Sequence, residues 1–317
     1  MLSWIGPSQN EICYGFQYYG VQSGYNFTMK RLLIVGCGDI ALRALPHLVR
    51  NYHVSGLART AEQADRVAAR GAMAFAGDLD DPDTLKILDG AADLVLHLAP
   101  PGESGEQDQR SANLIDALAT RPPERLVYIS TSGVYGDCGG AWVDEDRPLA
   151  PRNLRALRRV DAERSLLAWG EQSGASVMIL RVPGIYAAER LPLAHLKRGI
   201  PVMRAEDDVF TNHIHADDLA AICQVALERG AAGRVYNASD DGEIKMGDYF
   251  DLVADRAGLP RPPRIARTVA EGGAISEGLL SFMRESRRLS NTRMKAELGV
   301  RLRYASVHEG VPRSVAA

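Results

Sequence analysis

Cysteine, early basic residues and long apolar runs are what this 317-residue sequence has least of. Its four cysteines, Cys13, Cys37, Cys138 and Cys223, are widely scattered, form no C-x-x-C pair and have no histidine partners close by. Neither a disulfide framework nor a zinc site is indicated, and the thiols are expected to be reduced, mostly packing residues. No apolar run is long enough to span a bilayer, and a formal net charge of −3 gives no broad attraction to nucleic acid or to anionic membrane surfaces. Neither partner is expected, which leaves small-molecule work in the cytoplasm. Residues 1–28 hold no Lys or Arg, so a secretory or transit peptide is not expected. They are instead rich in aromatics and glycine (Trp4, Tyr14, Phe16, Tyr18, Tyr19, Tyr25, Phe27), and Met29 stands directly before the first strand signal. The expectation is a flexible N-terminal extension; an arm packing its aromatics on a neighbouring subunit is the alternative.

With 46% hydrophobic and 24% charged residues, the chain can bury a large core and suits one large α/β unit with a smaller one. The unbroken apolar run Leu32–Val35 leads straight into Gly36-Cys37-Gly38-Asp39-Ile40-Ala41, a G-x-G-x-x-A turn opening a helix. Strand, glycine turn and helix come in the order a dinucleotide site needs. Gly36 would allow the tight turn, Gly38 the approach of a pyrophosphate, and Ala41 close packing of helix on strand. The anion would rest on the free N–H groups and positive dipole end of the helix. Further strands are expected at His53–Leu57, Met73–Ala76, Asp93–Leu98 and Arg125–Ser130, with helices at Thr60–Arg70 and Gln107–Ala119 between them. That alternation predicts a parallel, doubly wound sheet with ligands beyond the carboxyl ends of its strands. Pro46 falls inside the first helix and should kink it. Where an acidic residue would bind the ribose hydroxyls of NAD, the second strand ends in Leu57-Ala58-Arg59-Thr60. Arg59 therefore favours NADP over NAD, a solvated arginine at a helix start being the plain alternative. Asp78 and Leu79 could bracket the adenine, unless Asp78 serves to cap a helix.

Four more segments make the sequence resemble a known family. His97-Leu98-Ala99 ends the fourth strand, Ile129-Ser130-Thr131-Ser132-Gly133-Val134-Tyr135-Gly136 resembles an S-[ST]-x-x-V-Y-G segment, Leu180–Tyr186 resembles L-R-x-x-x-x-Y, and His213–Ala220 resembles H-V-D-D. Together they resemble the extended short-chain dehydrogenase/reductases, the NAD-dependent epimerase/dehydratase group, from about Lys30 to about Gly310. The typical member carries G-x-x-G-x-x-G, so this chain resembles an atypical one. The resemblance implies a Rossmann-type sheet over residues 29–182 and 213–238, and a smaller, discontinuous substrate domain over 183–212 and 239–317. It also implies cofactor contacts from Gly36, Cys37, Gly38, Asp39 and Ile40, from Arg59, Asp78 and Leu79, from Leu98, Ala99 and Pro100, and from Arg159 and Pro183.

In the resembling family a Tyr and a Lys, four residues apart on one helix face, join a Ser or Thr from the fifth strand. The tyrosine exchanges a proton with the substrate, and the lysine binds the nicotinamide ribose and lowers the tyrosine pKa. Thr131 supplies the hydroxyl here, but the aligned helix has Arg155 at the tyrosine position and Arg159 at the lysine position. Arg159 could keep the ribose contacts and the charge. A guanidinium stays protonated, so Arg155 cannot replace the phenol. Tyr135 is then the first choice of proton donor, followed by Tyr186, Ser132 and Thr131 itself. The opposing view is that Tyr135 only packs beneath the substrate loop and that Arg155, Arg158 and Arg159 form a solvated helix face. A positive cluster beside a nicotinamide would also suit an anionic substrate.

His213 and His215 look like a metal pair, but with no third ligand nearby they are expected to be structural, and no metal is expected. Asp217 and Asp218 are expected to cap a helix, and Ser290–Gly299 to be a capped helix closing the substrate domain. The expected protein is an NAD(P)-dependent oxidoreductase, epimerase or dehydratase acting on a sugar nucleotide or a related hydroxylated small molecule. A catalytically inactive NAD(P)-sensing regulatory or scaffold protein is the alternative, prompted by the missing Tyr-Lys pair. The resemblance further suggests a homodimer.

Overall fold

Every residue of the apolar run after Lys30 is buried because both faces of its strand are covered. In β1 (Arg31–Val35), Leu32 and Ile34 join one apolar cluster while Leu33 and Val35 join another on the opposite side. The computed structural model describes residues 29–315, so the expectations for residues 1–28 lie outside the described residues. Six more strands complete the sheet: β2 (His53–Ala58), β3 (Met73–Ala76), β4 (Leu94–His97), β5 (Arg125–Thr131), β6 (Ser176–Val182) and β7 (Val235–Asn237). All pairings are parallel, in the order β3-β2-β1-β4-β5-β6-β7. The order reverses between β1 and β4, which opens a crevice at the carboxyl ends of these strands. This is the Rossmann-type doubly wound sheet expected.

Helices cover both faces. α1 (Asp39–Leu48), α5 (Ala216–Arg229) and α8 (Thr292–Leu298) pack on one side, and α3 (Gln109–Leu118) and α4 (Leu154–Ser173) on the other. α2 (Ala61–Ala68) lies beside β2 and β3, its start capped by the Thr60 hydroxyl on the Gln63 N–H. A third apolar cluster gathers Tyr186, Leu196, Met203, Phe250 and Val253 with Met283 and Val311. It includes residues of α6 (Met246–Ala257) and α7 (Glu277–Met283), away from the sheet.

α1 holds Pro46 in its interior and extends to Leu48, and the backbone hydrogen bond expected to be lost there is lost. The proline leaves the Leu42 carbonyl without its helical N–H, and Arg70 Nε, from the end of α2, donates to that oxygen at 3.1 Å instead. At the start of α5 the cap is His215, whose Nδ1 accepts from the Asp217 N–H, and not the aspartate pair. Asp218 instead accepts from the Arg303 and Tyr304 N–H groups at 2.8 and 2.9 Å, tying the C-terminal segment to α5. Among the described residues, no helix is long and apolar enough to cross a membrane.

Candidate active site

The turn between β1 and α1 contains two glycines under different constraints. Gly36 has φ +96°, and a Cβ there would lie 2.4 Å from the Ala99 backbone nitrogen. The reason is close contact with the end of β4, where the Leu98 and Ala99 N–H groups both donate to the Val35 carbonyl. Gly38 is the N-cap of α1, with no side chain capping the first turn, and a Cβ there would meet nothing within 4 Å. Open space before uncapped helical N–H groups fits a pyrophosphate. Cys37 turns inward: it is buried, its Sγ fills the space left by Gly56, and burial pushes its thiol up to about 11. Only its backbone can face a cofactor. Ile40 is buried below the turn, and Asp39 is held by Arg43 Nε at 2.9 Å and Arg190 Nη1 at 3.1 Å.

At the adenosine end, Arg59 is exposed beyond β2 and makes no ion pair among the described residues; its N–H donates to Gln63 Oε1. No carboxylate stands at the end of β2, the position that would bind the ribose hydroxyls of NAD. The Asp78 carboxylate accepts the Asp80 N–H at 3.0 Å and so closes its own turn, while Leu79 is buried beside it. Pro100 is exposed, and its carbonyl accepts from Arg110.

A cleft of about 380 Å³ opens beyond β5 and β6, lined by Thr131, Arg155, Arg159 and Pro183 among others. Arg190 lines it too and also reaches Asp39 in the first turn of α1, so one side chain bridges the cleft wall and the helix that follows the glycine turn. Thr131 caps the following turn, its Oγ accepting the Gly133 N–H at 3.2 Å. Its hydroxyl proton is left for another acceptor. Arg159 donates to the Ile129 carbonyl and to the Tyr128 hydroxyl, both neutral. Arg155 lies with its guanidinium 4.7 Å from the Phe282 ring centroid. Arg158 diverges from these two: it is buried and donates to the Gly105 carbonyl, so the three arginines do not form one solvated face.

Tyr135 is not in the cleft, and its expected role as proton donor is corrected here. The side chain is 1% exposed; its hydroxyl donates to Asn237 Oδ1 at 2.8 Å and accepts from Arg181 Nη1 at 2.9 Å. Burial pushes the phenol up to about 12. It belongs to a buried polar network in which Glu163 pairs with Arg181 at 2.8 Å, behind the cleft floor. Tyr186 is also buried and donates to the Ser306 carbonyl. Ser132 does line the cleft. His213 stacks on Tyr249 and His215 on Tyr304, with ring centroids 4.3 and 3.9 Å apart.

Several cleft residues carry no signal in the sequence. Arg190 comes from a single helical turn and Phe210 from a two-residue strand, and Phe282, Glu285 and Arg287 from a stretch without a recognisable motif. Arg287 is buried, paired with Glu285 at 2.9 Å, and its Nε finds no acceptor; the buried Ser130 hydroxyl also has no partner among the described residues.

Comparison with known proteins agrees with this geometry. The NAD dependent epimerase/dehydratase family matches residues 38–239. The GDP-6-deoxy-D-mannose reductase of Pseudomonas aeruginosa is 30% identical over 208 residues, covering 57% of this chain and 68% of that protein. Protein YeeZ of Escherichia coli K12 is 28% identical over 264 residues, covering 79% and 92%. A solved structure of a functionally unknown conserved protein from Silicibacter pomeroyi superposes with a TM-score of 0.75 at 29% identity, over 89% of this chain and 96% of that one.

Proposed function

Since the chain belongs to the NAD dependent epimerase/dehydratase family, we propose that it is an enzyme that binds NADP in preference to NAD and acts on a sugar nucleotide or a similar hydroxylated small molecule. The observation that carries this reading is the glycine turn at the start of α1, uncapped by any side chain and with open space before Gly38. Arg59, without a carboxylate beside it at the end of β2, supports the preference for a 2′-phosphate. The GDP-6-deoxy-D-mannose reductase among its relatives, named for a nucleotide-linked sugar, supports the substrate class.

The bound dinucleotide would supply a hydride donor or acceptor. Gly38 and the first turn of α1 would hold its pyrophosphate. Thr131 would donate its free hydroxyl proton in a hydrogen bond to the substrate oxygen. Arg159, fixed by Ile129 and Tyr128, would hold a positive charge at the end of β5, where negative charge on that oxygen is stabilised. With Tyr135 buried and Arg155 permanently charged, the hydroxyls of Thr131 and Ser132 are the candidate donors left in the cleft.

The test is a fluorescence titration of the full chain with NADPH and with NADH. NADPH is expected to bind the more tightly, with Arg59→Ala removing the difference by costing about tenfold or more in NADPH affinity. Equal affinities for the two forms in the unaltered protein would overturn the preference for NADP. Tight binding without turnover on any hydroxylated substrate would favour the sensing role.

A further inference from the structure

The two helix positions at which the resembling family keeps its tyrosine and lysine present a pair of guanidinium groups to the cleft, one helical turn apart. We propose that this pair is a seat for a carboxylate, so that the substrate carries an acid group beside the carbon at which hydride is exchanged. The proposal uses the nicotinamide reading only to say which carbon reacts; the seat itself is a property of the apoprotein.

Charge balance within the cleft is the first argument. Of the four arginines lining it, Arg190 is neutralised by Asp39 and Arg287 by Glu285. Arg159 bonds only neutral oxygens, and Arg155 makes no ion pair among the described residues. Arg159 thus stands without a counter-charge, and beside it Arg155 has only the distant pull of Glu285, a carboxylate already paired with Arg287. Partial enclosure and the like charge of Arg159 both weigh against the charged form of Arg155, and an anion between the two groups relieves that opposition.

The hydrogen-bonding groups bear on the kind of anion. Arg155 Cζ lies over the Phe282 ring, and its guanidinium N–H groups have no acceptor among the described residues, which leaves them for a ligand. A phosphate is commonly cradled by backbone N–H groups at a helix start. Here the Ala156 N–H at the start of α4 is already taken by Asn153 Oδ1 at 2.9 Å, and the Gly133 N–H by Thr131. Guanidinium forks offer planar edges that pair with the two oxygens of a carboxylate and also with a phosphate, and the phosphate arm of the titration separates the two. Arg287, 9% exposed on the same cleft wall, adds an Nε–H with no acceptor.

The experiment is a calorimetric titration of the full chain, without and with NADPH, against D-gluconate, D-glucitol and inorganic phosphate. Gluconate and glucitol differ in whether a carboxylate or a hydroxymethyl group stands beside a hydroxylated carbon. Gluconate is expected to bind about tenfold or more tightly than either of the others, the factor a charge-assisted bond commands. Arg155→Met should remove that advantage, Arg155→Lys should keep part of it, and Arg152→Met should leave it intact. Arg152 lies outside the cleft lining, paired with Asp137, and controls for the loss of one positive charge. Gluconate binding no better than glucitol, phosphate binding as well as gluconate, or an equal loss in Arg152→Met would each overturn the seat. Gluconate binding that persists when NADPH fails to bind would instead overturn the nicotinamide reading and leave the seat standing.

Discussion

Gly36 and Gly38 stand two residues apart and are glycines for unrelated reasons. Gly36 needs a left-handed backbone pressed against Ala99, so Gly36→Ala should cost about 2–3 kcal/mol of stability and lower the melting temperature whether or not a ligand is present. Gly38 has φ −84° and open space before it, so Gly38→Ala should leave the melting temperature of the apoprotein unchanged and weaken NADPH binding about tenfold. A melt and a titration on each variant check both statements; unaltered NADPH affinity in Gly38→Ala would remove that glycine from the cofactor site. The sequence makes the pair legible because the spacing is itself the signal. It could not tell that Cys37 faces inward, nor that the Tyr135 hydroxyl is spent on Asn237 and Arg181, since those partners lie 102 and 46 residues away.

At the scale of single elements, β6 was not singled out as a strand, whereas β1, β4 and β5 were readable because they are covered on both faces and so appear as continuous apolar runs. Their ends were read to within a residue or so, where burial gives way to hydrogen bonds such as those from Leu98 and Ala99 to Val35. The helix starts were less legible: His215 caps α5 while Asp218 holds a distant loop, and no local rule separates those roles. α1 shows how one element leans on another, for Pro46 leaves the Leu42 carbonyl to Arg70 at the end of α2. Arg70→Ala should destabilise the protein by about 0.5–1.5 kcal/mol. The same change in a Pro46→Ala background should cost less, because an alanine N–H would satisfy the carbonyl. A double-mutant cycle by chemical denaturation measures the difference, and additive costs would show that Arg70 does not serve this carbonyl.

For the molecule as a whole, the layers of the sheet follow from an apolar pattern that any reader of the chain can see, whereas the cleft is assembled from segments far apart in sequence. Arg155, Arg190 and Arg287 share a wall without sharing a motif. Stability also has a global reporter in Asp240, 4% exposed, whose carboxyl burial pushes up to about 8, with Asp241, Asp218 and Glu309 adding to the effect. The native state keeps this proton up to about pH 8, while an unfolded aspartate releases it near pH 4. Folding therefore binds a proton in between, and this contribution is complete below about pH 4 and lost as pH rises toward 8. Asp240→Asn should flatten that decline, so its melting temperature should gain on the unaltered protein from pH 5 to pH 8; parallel profiles would place the proton elsewhere. Arg190 links the cleft to α1, since its bond to Asp39 reaches the helix that would carry the pyrophosphate. A cation shared in this way would make the two occupancies interdependent. Whatever factor substrate imposes on dinucleotide affinity, the dinucleotide must return to substrate affinity in equal measure.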